Sequence, residues 1–176
     1  MSKLYFKYLV ISFLLFPLWW LSCAPTLNLV EGGRYRDPQG YFELLLPQGG
    51  WMLLSWEEVD LALWDPQEGA TIVLNVSPLK RDLDLPNLTR HLLIAFERKK
   101  IIAQDTAKVN GREALRTVLE GQVEGTEVKA EIYVVKSEGL VYDMIFWSPL
   151  EVFPRKVETF RQFLAGLNFL QPKGRH

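Results

Sequence analysis

The sequence predicts an α+β domain: an antiparallel β-sheet layered with two main amphipathic helices. Three observations point there. The apolar spacing runs at two, lengthens to three or four, returns to two, and lengthens again near the end. Short Asn-Gly and Glu-Gly turns separate the later strands, which forces neighbouring strands to run antiparallel. The helical stretches carry apolar residues on one side only, as helices laid on a sheet do.

Taken in order, "YFELLLP" reads as a strand ending at Pro47, "QGG" as a turn and "WMLLSW" as the next strand. "DLALWD" alternates Leu61 and Leu63 against Ala62 and Trp64. "DPQEG" is a turn, and "ATIVLNVSP" is rich in the branched residues that suit strands. In "DLDLPNLTRHLLIAFERKK" the residues Leu85, Leu88, Leu92 and Phe96 recur at helical spacing. Asp84 is placed to cap that helix and Pro86 falls in its first turn; Arg98, Lys99 and Lys100 suit its C-terminal dipole. From Gln104 to Ser148 three long β runs are expected, with turns at Asn110–Gly111, Glu124–Gly125 and Glu138–Gly139. In the middle run Val128, Ala130, Ile132 and Val134 share a dry face, and Glu127, Lys129 and Glu131 a wet one. Last, Phe153, Val157, Phe160, Leu164 and Leu167 form a helical stripe. Arg155, Lys156, Glu158 and Arg161 point outward, and Gly166 is placed to end the helix.

The 176 residues suit one domain with a tail, and 48% hydrophobic with 23% charged residues is ordinary for a globular chain. The first 22 residues hold Lys3 and Lys7 and no acid. Without them 18 of the 20 basic residues remain against 21 acidic ones, a net charge of −3. A mildly acidic domain has no general attraction for phosphate backbones, so nucleic acid is not an expected partner. A single cysteine excludes an internal disulfide.

That cysteine, Cys23, closes the opening segment. "MSKLYFKY" is basic, "LVISFLLFPLWWL" is apolar and uncharged over 13 residues, and "SCA" is small. This is the order of an export signal, and it is shorter than the roughly 20 apolar residues of a membrane span. A simple secretory signal, an uncleaved anchor helix and a buried structural thiol are the other readings of the same residues. Trp20, Leu21, Ser22 and Cys23 resemble the lipidation motif of bacterial lipoproteins, with tryptophan where leucine usually stands. The resemblance implies cleavage between Ser22 and Cys23, diacylglycerol on Cys23 and a third acyl chain on the new amine. Ala24 is not the aspartate of inner-membrane retention, so the implied address is the outer membrane, facing the periplasm. The organisation expected is a signal over 1–22, a lipidated tether over 23–38, the domain over 39–170 and a tail over 171–176.

"RDPQGYFELLLPQGGW", "VNGREALRTVLEGQVEG" and "GLVYDMIFWSP" resemble the opening, central hairpin and end of PsbP-like domains, over about Arg36 to Leu170. The resemblance implies an antiparallel sheet between helices and non-enzymatic accessory or binding roles, often in lipid-anchored or exported proteins. No photosystem or metal contact of that family matches here residue by residue.

Catalytic and metal signatures are sparse. No G-x-S-x-G elbow, Walker loop or G-x-G-x-x-G occurs, and His91 is the one histidine inside the domain. Asp82 and Asp84 offer an oxygen pair but read as turn and capping residues, so neither a catalytic residue nor a metal or other cofactor is assigned. Glu57, Glu58 and Asp60 form an acidic loop that a hydrolase would need to converge on a bond. Core packing is the default reading of each tryptophan in the domain; Trp56 and Trp64, which flank that loop, are the candidates for a binding edge. The expected function is a lipid-anchored envelope protein that engages a protein partner. The alternatives are a carrier of a small apolar or lipid ligand and an acid-dependent hydrolase.

Overall fold

A computed structural model describes residues 28–29, 33–81 and 83–170. The expected signal, Ser22, Cys23, Asp82 and the tail over 171–176 lie outside the described residues. The strands are β1 (Asn28–Leu29), β2 (Gly33–Arg36), β3 (Phe42–Leu46), β4 (Met52–Leu54), β5 (Leu61–Asp65) and β6 (Ala70–Pro78). Helix α1 (Leu85–Leu92) and a 3₁₀ turn (Leu93–Ala95) follow. Then come β7 (Glu97–Val109), β8 (Arg112–Val123), β9 (Thr126–Ser137), β10 (Leu140–Pro149), helix α2 (Phe153–Ala165) and β11 (Asn168–Phe169). The main sheet has the order β1-β4-β5-β6-β10-β9-β8-β7, and β11-β3-β2 make a small second sheet. Every pairing is antiparallel. The α+β fold class is the one expected from the sequence. Strands β1 and β2 lie in the stretch read as a tether.

Side chains alternate across the strands, so the main sheet has two faces and each gathers its own core. On one face lie α2 and the small sheet. Phe42 and Leu44 from β3 join Leu63, Ile72, Met144 and Phe146 from the main sheet beneath Phe160 of α2. Phe160 is fully buried, stacked 5.6 Å from Phe146 and edge-on at 6.0 Å to Tyr133. Burying one such ring contributes roughly 1.5–3 kcal/mol. On the other face Leu93 and Phe96 meet Leu119, Ile132 and Val134, with Leu85, Leu88 and Leu92 of α1 packed alongside.

Local chemistry fixes the connections. Asp84 caps α1 by accepting the Asn87 N–H at 2.9 Å, and Pro86 sits in the first turn, as expected. Asn110 and Gly111 take φ of 43° and 79°, the left-handed pair of a two-residue hairpin, and the two Glu-Gly turns repeat this.

Three expectations are corrected. The helix over residues 85–100 ends at Leu92; Phe96 is extended, and Arg98, Lys99 and Lys100 belong to β7. Pairing with β8 outweighs the local helical spacing there. Phe96 still packs beside the three leucines, reaching the core from outside the helix. The stretch read as three long runs is four strands, since its three turns divide it into four, and the first of these, β7, begins at Glu97, seven residues before the expected start. The wet face of β9 is not wet throughout: Glu131 is fully buried, because α2 covers it and Arg161 bonds it.

Candidate functional site

Strand β7 is the terminal strand of the main sheet, and no described strand pairs with its outer side. Its hairpin with β8 closes on the pair Val109 and Arg112. By the antiparallel alternation, Val109, Ala107 and Asp105 direct their backbone groups toward β8, while Lys108, Thr106 and Gln104 direct theirs outward. Upstream, the register slips between Glu97 and Lys100 and again between Ile101 and Ala103. The first irregularity lies over Gly121, where a Cβ would come within 3.0 Å of the Glu97 carbonyl oxygen. The second leaves Ile101 and Ile102 exposed at 48% and 45% on the rim.

A cleft of about 510 Å³ opens beside the regular half of β7. Thr106 of β7, Leu115 of β8 and Leu85 and Pro86 of α1 line it, with Asp84, Glu113 and Lys136 contributing charge. The edge thus combines free main-chain donors and acceptors, exposed isoleucines and an adjoining cleft. Sheet edges of this kind are able to pair with an extended peptide, with backbone pairing supplying affinity and a cleft beside the strand selecting side chains.

Of the two tryptophans expected at a binding edge, Trp56 is 47% exposed in the β4–β5 loop. Trp64 is half-buried at the other end of β5, paired across to Met52 and Thr71, so the two lie at opposite ends of one strand. The neighbouring acids do not converge. Glu57 and Glu58 are exposed, while Asp60 accepts the Val76 N–H at 2.6 Å and the Gln39 amide at 3.2 Å. Burial raises the Asp60 carboxyl above its ordinary value, with the charge of Asp37 adding to the effect and the Val76 bond opposing it. His91 is exposed on α1.

Two acids that the sequence pattern did not single out stand apart. Glu131 accepts from Arg116 and Arg161, the latter at 2.9 Å, and from the Tyr133 hydroxyl at 2.9 Å. Burial opposes its charge, but hydrogen bonds from Arg161, Arg116 and Tyr133 outweigh that and hold its carboxyl below the usual range. Asp143 on β10 is the contrary case. It faces Asn75 of β6 and Val134 of β9, has no hydrogen bond or ion pair among the described residues, and burial pushes it up to about 7. Its one sequence signal is an acid inside the otherwise apolar run "LVYDMIFW".

No family model matches the chain, and no curated protein matches it by sequence. Solved structures do. The cyanobacterial PsbP protein CyanoP from Synechocystis superposes with a TM-score of 0.62 over 85% of this chain and 98% of its own, at 14% identity. The fold is PsbP-like. LpqN of Mycobacterium tuberculosis, described as involved in cell envelope biogenesis, gives 0.61 over 82% of this chain and 93% of its own at 15% identity. A Bacteroides thetaiotaomicron protein gives 0.60 over 84% of this chain and 52% of its own at 12% identity.

Proposed function

We propose that this chain is a lipid-anchored, non-enzymatic accessory protein of the cell envelope that binds a protein partner. Diacylglycerol on Cys23 tethers it to the outer membrane, facing the periplasm. The observation that carries the binding role is the outer edge of β7, with its outward-facing backbone at Gln104, Thr106 and Lys108 and the cleft beside Thr106. Likeness to LpqN supports the envelope setting, and the basic-apolar-small order ending at Cys23 supports the anchor. The partner adds an extended segment to the sheet. Its side chains alternate between the cleft and the solvent.

A photo-crosslinker in place of Ile102 in envelope-anchored protein tests this, with Thr106→Pro as the comparison. Proline at 106 removes an outward N–H and leaves the bonds to β8 intact. The expected result is a discrete cross-linked partner that disappears with Thr106→Pro. Cross-links that are absent, or the same in both proteins, sink the edge as the binding site.

A further inference from the structure

We infer a second site, for a medium-chain acyl anion, in the cleft between the end of the β6–β10 ladder and helix α1. It lies away from the β7 edge and stands or falls separately. The cleft is open to solvent and offers about 300 Å³, room for about ten groups the size of a water molecule at roughly 30 Å³ each. Its walls are apolar: Pro78, Leu79, Leu83, Leu88 and Val141. Among the described residues two cations, Lys80 and Arg81, line its mouth, and both are exposed. Apolar walls under a pair of cations complement an acyl tail that ends in a carboxylate or phosphate.

The cleft is held open by bonds across the loop. The Leu79 N–H donates to the Gly139 carbonyl at 2.9 Å, the Leu83 N–H to the Arg81 carbonyl at 2.8 Å, and Lys136 Nζ to the Leu83 carbonyl at 3.0 Å. A preformed wall loses little freedom when a ligand enters.

The sheet register sets how far a tail can run. Ser77 and Val141 form one rung, and Asn75 and Asp143 form the next rung on the same face, about 7 Å further in. Neither Asn75 nor Asp143 makes a side-chain hydrogen bond among the described residues. Neither lines the cleft, so a tail long enough to pass Ser77 and Val141 would strip two polar side chains of water and return no hydrogen bond. The site therefore favours a short tail. It selects by length at its inner end and by charge at the mouth.

Isothermal titration of the chain beginning at Ala24 tests this, because every residue of both cores lies between Tyr35 and Phe169. The probes are decanoate, decanol, palmitate and acetate, each below its aggregation concentration. Decanoate is expected to bind one to one, with decanol and acetate at least tenfold weaker and palmitate weaker than decanoate. Lys80→Glu combined with Arg81→Glu should weaken decanoate at least tenfold and leave decanol unchanged. Both side chains are exposed, and an unchanged melting curve confirms the fold. Asp143→Leu should shift the preference toward palmitate. Absent decanoate binding, or binding indifferent to the charge reversal, overturns the site. A palmitate preference in the unaltered chain, or one that Asp143→Leu does not move, overturns the length rule.

Discussion

Removing the charge of Glu131 leaves Arg116 and Arg161 facing a buried position, with Asp105 at 3.0 Å from Arg116 and the exposed Glu158 at 3.8 Å from Arg161 as their remaining counter-ions. Breaking a buried pair from one side costs about 3–5 kcal/mol. Both arginines keep some water contact, so Glu131→Gln should fall near the lower end, about 3 kcal/mol. Denaturant titration should show this as a lower midpoint at unchanged slope; a loss under about 0.5 kcal/mol would deny the network its role. Asp143 has the opposite sign. The folded protein holds its proton up to about pH 7, whereas the unfolded chain releases it near 4. Between those values the folded state binds more protons, so this residue lowers stability as pH rises, by up to about 1.4 kcal/mol per pH unit. Glu131 acts at the acid end: its contribution is complete above the ordinary carboxylate range and is lost as pH falls through its lowered value. Asp143→Asn, a mimic of the protonated form, should flatten the slope from pH 4 to 7 and leave the protein more stable above 7. An unchanged slope would mean that Asp143 is not desolvated. Neither role was legible in the sequence. Glu131 alternates with Glu127 and Lys129 like a surface acid, and only the arrival of α2 thirty residues later buries it.

At the scale of elements, the same arithmetic of outward and inward backbone groups separates two adjacent prolines. Thr106→Pro deletes an N–H that faces away from β8, so the folded state loses no ladder bond and Tm should move by no more than a few degrees. Ala107→Pro deletes one that faces β8 and should cost about 3 kcal/mol or more, seen as a clear fall in Tm. Equal shifts would mean that the alternation from the Val109–Arg112 closing pair is assigned to the wrong residues. The turns behind this argument were plain in the sequence, because Asn-Gly and Glu-Gly demand left-handed conformations that few other pairs adopt cheaply. The start of β7 was not plain. Phe96 continues the helical spacing of Leu85, Leu88 and Leu92, and all four residues pack into one core. Local periodicity reported their shared destination correctly and their secondary structure wrongly. What converts residues 97–103 to strand is the waiting edge of β8, a contact that no local window contains.

Among the described residues the main sheet has two covered faces and one long edge, β7, with no strand on its outer side, so the proposed partner surface is set by topology more than by any single motif. This is why the fold class was legible while the site was not. Strand and helix periods add up along a chain, whereas an edge exists only once the strand order is known. The anchor proposed at Cys23 is the reverse case. Cys23 is legible only as a motif, and its consequence is global: two or more acyl chains at roughly 0.8 kcal/mol per buried methylene would hold the protein to a bilayer almost permanently. Among the described residues no helix is long and apolar enough to cross a membrane. The intact mass of protein taken from membranes reads that segment directly. The expected native species begins at Cys23 and carries acyl mass, while Cys23→Ser yields a chain without acyl mass. A native mass that still includes Met1 to Ser22 and no lipid would make residues 1–22 an uncleaved anchor. It would remove the outer-membrane placement and leave the β7 edge and the acyl cleft to be tested at a different membrane.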